Sequence, residues 1–304
     1  MLEPAELYRL IADNTQDLIR VFDVEGRFVY ASPSHETLLG YTPQDLLQTS
    51  VMDLLHPDDV GKARSMLHEM VTRKVSMHGL FRYRSKAGPW RILETRGTPL
   101  VKEKSFIGVV TIGRDITERW QMERALQEYQ AELEFLAFHD ALTGLPNRVL
   151  FSQQVTKAIS AAEGQSHRLA VLFLDYDQFK SVNDTYGHDI GDQVVQECGR
   201  RIAQCVGDED TAARLGGDEF SVLMPRICGS REVTTVATRI LQSTRSPWNI
   251  GAGSLSLTVS IGIALYPTAG LDAPSLVKHA DNALYDAKRR GKNRYAFYRP
   301  GMGV

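Results

Sequence analysis

Residues 211–225 read TAARLGGDEFSVLMP: two glycines and two carboxylates at the centre of an otherwise apolar segment. The apolar residues on either side predict two strands. Gly216 and Gly217 predict the turn between them, where missing side chains permit positive φ and close backbone approach. Asp218 and Glu219 stand beside that turn. An idle hairpin can turn on Asn-Gly and has no use for two adjacent acids, so the pair points to chemistry at the tip.

Upstream, the apolar run LAVLFL leads into Asp175-Tyr176-Asp177. A carboxylate at the end of a buried strand is a hard-oxygen ligand suited to magnesium. A solvated turn or a helix N-cap uses the same residue, and this stretch alone leaves both readings open. The hairpin adds weight to the first. If the two strands are neighbours, as the topology of such units usually makes them, Asp175, Asp218 and Glu219 converge on one edge. Three carboxylates together repel unless a cation compensates them. Magnesium so held completes its shell with water and nucleotide phosphates. The chain has no GxxxxGK[ST], GxGxxG or HExxH segment. Positive charge for a phosphate is expected instead from Lys288 and Lys292, read as four apart on one helix face, although solvated surface is the usual fate of such lysines.

Around this core the second half, from 139 to 304, reads as strand, helix, hairpin, helix, strand, helix and a last short strand. That is a βαββαβ order with additions, hence α+β with a mostly antiparallel sheet. The first 118 residues differ in style. Short alternating strands surround a helical stretch in which Thr42-Pro43 and His56-Pro57 mark helix starts, predicting a small antiparallel sheet with helices on one face. Between the halves, residues 119–138 hold no glycine or proline. Met122, Leu126, Tyr129, Leu133 and Leu136 recur at alternating spacings of four and three. This pattern points to a parallel dimer helix joining the two domains, with an amphipathic helix packed on its own domain as the alternative.

Composition sets limits. Of 304 residues, 43% are hydrophobic and 24% charged, the balance of a soluble globular protein. A formal net charge of -2 supplies no global field for nucleic acid or an anionic membrane. Cys198, Cys205 and Cys228 are odd in number and form no CxxC pair, which argues against a disulfide framework or zinc knuckle and suits a cytoplasmic location. No apolar run approaches the roughly 18 residues of a membrane span.

The segments DALTGLPNR, LDYDQFKSVNDTYGHDIGD, RLGGDEF and LYDAKRRGKNR, in this order and spacing, resemble the GGDEF family of diguanylate cyclases over roughly residues 139–298. The resemblance implies a palm-like fold and the condensation of two GTP into cyclic di-GMP with loss of two pyrophosphates. It also implies that Asp175, the Tyr176 carbonyl and Asp218 bind magnesium, or manganese in its place, with Glu219 also at the metal. Asp218, Glu219 and Lys180 would carry the chemistry. Asp177, Gln178, Phe179 and Lys180 would border the triphosphate, and Gly216 and Gly217 the substrate. Asn183 and Asp192 match the guanine readers: a carboxylate accepts from guanine N1–H and N2–H, whereas adenine would leave it unpaired. Lys288 matches a phosphate-binding lysine. Lys292 stands where arginine is frequent, so a point charge replaces a bidentate fork. One departure concerns the RxxD motif through which many members bind product. Here those residues are Gly207 to Asp210, GDED, so no product-inhibition site is expected.

The front segment resembles a PAS domain through GRFVYASPSHETLLGYTPQDLL, HPDD, FRYRSKAGPWRILETRGTPL and GVVTIGRDITERWQ. Nothing selects its ligand. A flavin–cysteine adduct is excluded, because all three cysteines lie beyond residue 190. His35, His56, His68 and His78 include candidate haem ligands, but read more simply as surface or capping residues, His56 as a helix start. The expected protein is a homodimer through the linker helix and the PAS domain, acting on GTP. RYAFYRPGM at 294–302 resembles the connection into an EAL domain, so the chain is also readable as part of a longer protein. Two other readings stand beside the cyclase: a non-catalytic GTP-binding regulatory module and a PAS-directed interaction scaffold.

Overall fold

The computed structural model describes residues 3–103, 105–165, 167–250 and 253–302. They divide into two compact units, 1–129 and 130–304.

In the first unit, α1 (Pro4–Asn14) precedes the hairpin of β1 (Leu18–Phe22) and β2 (Phe28–Ala31). Next come α2 (Ser34–Leu39), α3 (Pro43–Leu46) and α4 (Pro57–Arg73), then β3 (Met77–Arg84), β4 (Trp90–Lys102) and β5 (Ser105–Asp115). The sheet order is β2-β1-β5-β4-β3, antiparallel throughout. Strand β1 shows why one face carries the helices. Leu18, Arg20 and Phe22 are buried while Ile19 and Val21 are only half-buried, the two-residue period of a sheet with one covered face. Leu39, Leu46, Val51 and Leu54 from the helical stretch pack with Leu18, Phe22 and Phe28 in one core. Thr42 and His56 cap α3 and α4, with Pro43 and Pro57 in the first turns, as the sequence predicts. His68 and His78 are exposed. His35 departs from the surface reading: it is fully buried, and its Nδ1 lies 2.9 Å from the Ser32 carbonyl.

Helix α5 (Thr117–Phe138) follows. Its seam residues Met122, Leu126, Tyr129, Leu133 and Leu136 are all exposed, so the helix does not bury them on its own chain.

The second unit contains α6 (Arg148–Gln165), β6 (Arg168–Tyr176), α7 (Phe179–Tyr186), α8 (His188–Cys205), β7 (Thr211–Gly216), β8 (Glu219–Ile227) and α9 (Ser230–Arg245). A short pair, β9 (Trp248–Ile250) and β10 (Gly253–Leu255), precedes β11 (Val259–Tyr266), α10 (Ala273–Arg289) and β12 (Tyr295–Phe297). The main sheet runs β12-β11-β6-β8-β7, with β6 antiparallel to both neighbours and only β12 parallel to its partner. Strand β6 is buried on both faces, which explains its unbroken apolar run. Ala170, Leu172, Leu174 and Tyr176 pack with Val194 and Ile202 of α8 and Val233 and Ile240 of α9. Leu169, Val171 and Phe173 pack with Phe151 and Val155 of α6 and Leu276 and Leu284 of α10. Each such aliphatic side chain contributes about 1.5–3 kcal/mol on burial. Helix α10 sits on β11 through Gly262, where a Cβ would lie 2.0 Å from the Ala280 carbonyl oxygen.

Among the described residues, no helix is long and apolar enough to cross a membrane.

Candidate active site

The alternation along β6 decides what Asp175 meets. It shares parity with Leu169, Val171 and Phe173, so it emerges on the face covered by α6 and α10. Glu219 shares parity with Leu223 of that same face and stands directly opposite Asp175 in the β6–β8 ladder. Such cross-strand neighbours lie about 5 Å apart, and like charges there repel. Two cations answer them. Lys288 Nζ, from the last turn of α10, is 2.6 Å from Asp175 Oδ1, and Arg148 Nη2, from the first turn of α6, is 3.4 Å from Glu219 Oε2. The compensation is incomplete. Burial, with Asp218 and Asp177 adding to it and Lys288 opposing, holds the Asp175 carboxyl above its ordinary range. Burial also raises Glu219, with Asp175, Asp281 and Asp218 adding to it and Arg148 opposing.

The hairpin tip is tighter than the sequence reading. Gly216 still pairs with Glu219 as the last residue of β7, so the turn itself is Gly217-Asp218. Both glycines hold positive φ, 142° at Gly216 and 54° at Gly217. Arg214 clamps this turn: Nε and Nη2 donate to the Gly217 carbonyl at 3.0 and 2.9 Å, and Nη1 donates to both Asp140 oxygens at 2.9 and 3.0 Å. Burial pushes the Asp140 carboxyl up, but hydrogen bonds from Arg214 and Thr143 outweigh it, and the net direction is down. Asp140 lies just past the end of α5, so one ion pair ties that end to the turn presenting Asp218.

The other expected residues separate into groups. Tyr176 is 1% exposed, its ring packed against Phe220 and Trp248, so only its backbone can serve a site. Phe179 is likewise buried in the core, so what it can offer a site is its backbone N–H, in the first turn of α7. No side chain caps α7, whose N-cap, Gln178, holds φ 62°, and uncapped helix N-termini favour anions. Lys180 is exposed in the first turn of α7.

Asn183 and Asp192 come together at the α7–α8 corner through Gly191, where a Cβ would lie 1.8 Å from Asn183 Oδ1. Asp192 is exposed and Asn183 half-buried.

One expectation is corrected. Lys292 is not on a helix face with Lys288: α10 ends at Arg289, and Lys292 follows it with φ 61°. It lines a groove of about 550 Å³ with Gln178, Ser181, Tyr186 and Thr258. Asp177 lines the same groove, although it is only 6% exposed. Thr258 Oγ1 and Ser260 Oγ donate to it at 2.6 and 2.8 Å, and the Asn293 N–H donates at 3.1 Å, which anchors the loop carrying Lys292.

Among the described residues, no three His, Cys, Asp or Glu side chains are gathered into a ready-made metal cage. The donor set on this edge is all oxygen, the chemistry magnesium prefers, and that ion commonly takes one or two carboxylates and fills the rest of its shell with water and phosphate. Asp140, Arg148, Arg214 and Gly191 were not singled out from sequence. All four lie within the quoted motifs; Asp140 and Arg148 find their partners more than 70 residues away, whereas Gly191 meets Asn183 of its own motif.

Two stretches of the chain match known families. Residues 137–294 match the family described as diguanylate cyclase, GGDEF domain, and residues 28–112 match the PAS fold. The chain is 42% identical over 180 residues to the bifunctional diguanylate cyclase/cyclic di-GMP phosphodiesterase MucR of Pseudomonas aeruginosa, covering 59% of this chain and 26% of that protein. It is 40% identical over 185 residues to diguanylate cyclase TpbB of the same species, covering 60% and 42%. Among solved structures, the coiled coil and GGDEF domain of DgcB from Caulobacter crescentus, in complex with c-di-GMP, superposes with a TM-score of 0.54 at 30% identity, covering 60% of this chain and 96% of that one. The chain therefore spans less than half of either curated relative. With the GGDEF match covering just over half of its length and a PAS fold ahead of it, this chain belongs to the GGDEF diguanylate cyclase family.

Proposed function

We propose that this chain condenses two GTP molecules into cyclic di-GMP and two pyrophosphates, under control of its PAS unit. The observation that carries the reading is the pairing of Asp175 with Glu219 on one sheet face, beside Asp218 at the turn and Lys288 from α10. An edge so rich in carboxylate, next to an uncapped helix start and lysines, suits a cation-bound triphosphate.

Asp175, Asp218, Glu219 and the Tyr176 backbone would hold magnesium, or manganese, which when bound polarises phosphoryl oxygens and offsets their charge. Lys288, Lys180, Lys292 and α7's first N–H groups bind the phosphates. Asn183 and Asp192 read guanine. The 3′-oxygen of one GTP forms a bond to the α-phosphorus of the other, and pyrophosphate leaves. The exchange repeats with roles reversed, and each subunit supplies half of the site. An acid beside the metal, Glu219 or Asp218, accepts the hydroxyl proton.

The exposed seam of α5 supports a parallel dimer helix, and the structure that resembles this chain in DgcB is itself described as a coiled coil with a GGDEF domain. Signals from the PAS unit act through the pairing or register of that helix. Activity unchanged by proline insertion within 119–138 would remove this part of the reading. The reading as a whole is tested by incubating the chain with GTP and magnesium and identifying the product by chromatography against cyclic di-GMP.

A further inference from the structure

Among the described residues, six that are not glycine hold positive φ, and three of these line one groove: Gln178 at 62°, Lys292 at 61° and Asn293 at 50°. The left-handed region is uncommon for residues with a side chain, and it persists only where the surroundings over-determine it. Such positions gather at ligand clamps. Gly291, with φ 108°, makes the left-handed run after α10 three residues long.

Part of what holds this run comes from α10 itself. The Gly291 N–H donates to the Lys288 carbonyl at 3.3 Å and the Lys292 N–H to the Ala287 carbonyl at 3.2 Å, which closes the end of the helix. The Asn293 N–H goes elsewhere, to Asp177 Oδ2 at 3.1 Å. That oxygen also accepts from Thr258 Oγ1 at 2.6 Å, and Oδ1 accepts from Ser260 Oγ at 2.8 Å. All three donors are neutral. A carboxylate buried on such terms costs stability, and an apolar residue of its size would fill the space without that cost. What the carboxylate supplies is a fixed point where β11 and the loop after α10 meet.

The loop gives Lys292 its aim. A lysine is a point charge on a flexible stem, so the backbone that carries it decides where the charge is offered. Gln178, the N-cap of the uncapped helix α7, lines the same groove as Lys292 and Asn293. An anion lying in the groove meets the helix start and the lysine together.

We propose that Asp177 is a positioning residue for GTP, its carboxylate holding the left-handed run 291–293 so that Lys292 is presented to the phosphates beside the start of α7. This rests on the reading of Lys292 as a phosphate ligand, and Asp177 acts through the loop, not by ligating the metal. The test titrates the full chain with a non-hydrolysable GTP analogue and magnesium in a calorimeter. Lys292→Ala is expected to weaken binding about tenfold, the loss of one charge-assisted contact. Asp177→Ala is expected to weaken it by a similar factor, and to add nothing in a chain that already carries Lys292→Ala. Asp177→Asn is expected to recover most of the affinity, because its amide oxygen still accepts from the Asn293 N–H while its NH2 donates to the Ser260 hydroxyl. A metal ligand would not be rescued in this way. Should Asp177→Ala not fold, hydrogen exchange on the wild type decides, with the Asn293 amide expected to be protected before any nucleotide is added. Affinity unchanged in Lys292→Ala or Asp177→Ala, losses that multiply in the double variant, no rescue by Asp177→Asn, or an unprotected Asn293 amide overturns the proposal. A wild type that binds no analogue removes the GTP reading itself along with it.

Discussion

Lys288 Nζ lies 2.6 Å from Asp175 Oδ1, so in this structure the amine expected to bind phosphate is the counter-ion of a carboxylate expected to bind metal. The two groups are 32% and 17% exposed, and an ion pair this accessible contributes about 1 kcal/mol or less to stability. Lys288→Met is therefore expected to melt within a few degrees of the wild type yet lose at least tenfold in turnover of GTP. Initial rates and calorimetry on the same preparation check this. Wild-type turnover by the variant would contradict a phosphate role for Lys288.

Gly191 makes room for the amide of Asn183. A methyl group there would lie 1.8 Å from Asn183 Oδ1 and must push it away. Gly191→Ala is expected to weaken affinity for a non-hydrolysable GTP analogue about tenfold, the equivalent of one good hydrogen bond to the base. The measurement is isothermal titration, and unaltered affinity would separate Asn183 from guanine recognition.

Feedback through the residues ahead of the hairpin is expected to be absent. Gly207 stands at the arginine position, and the Gly207 N–H donates to Asp210 Oδ2 at 2.9 Å, so that carboxylate is spent on its own turn. Burial, opposed by this bond, raises the Asp210 carboxyl. Initial rates measured with increasing cyclic di-GMP should fall only through competition with GTP. Strong non-competitive inhibition that disappears in Asp210→Ala would refute the expectation.

His35 makes the PAS unit sensitive to mild acid. The Ser32 carbonyl can only accept, so Nδ1 carries the proton and the buried imidazole is neutral. Burial first, then Arg20, lower its pKa from 6.5 to about 4. Below pH 6.5 the unfolded chain takes up a proton that the folded one refuses until about pH 4. Stability is thus full above 6.5 and falls with pH across this window, at up to about 1.4 kcal/mol per pH unit. Urea melts of wild type and His35→Leu should converge in slope above pH 7 and diverge between pH 6.5 and 5, with the variant flatter. Parallel pH dependence in both would count against it.

Much of this was legible in the sequence because the second unit obeys local rules. The apolar run before Asp175, the two-residue period that puts Asp175 and Glu219 on one face, and the glycines of the turn all follow from strand geometry. The helix starts at Thr42 and His56 were readable from their prolines. What escaped depended on distant partners or on a local break. The Arg214–Asp140 pair joins residues 74 positions apart, beyond any helical or strand spacing. Lys288 and Lys292 keep a helical interval in the sequence, but α10 has already ended, and Gly291, with φ 108°, was the available sign of it. Arg20 was hidden because LIRVF is apolar at every other residue, so the alternation alone does not say which face turns inward. The burial of Asp177 was not legible either, because the groups that bond it come from Thr258 just before β11, Ser260 in β11 and Asn293 after α10.

The central claim is that the edge formed by Asp175, Asp218 and Glu219 makes cyclic di-GMP. The most direct measurement incubates the chain and its Asp218→Ala variant with GTP and magnesium and quantifies nucleotide products by chromatography. Cyclic di-GMP and two equivalents of pyrophosphate from the wild type are predicted, with none from a variant whose circular dichroism and melting temperature match the parent. A wild type that binds GTP without turnover, or an Asp218→Ala variant as active as its parent, would contradict the account.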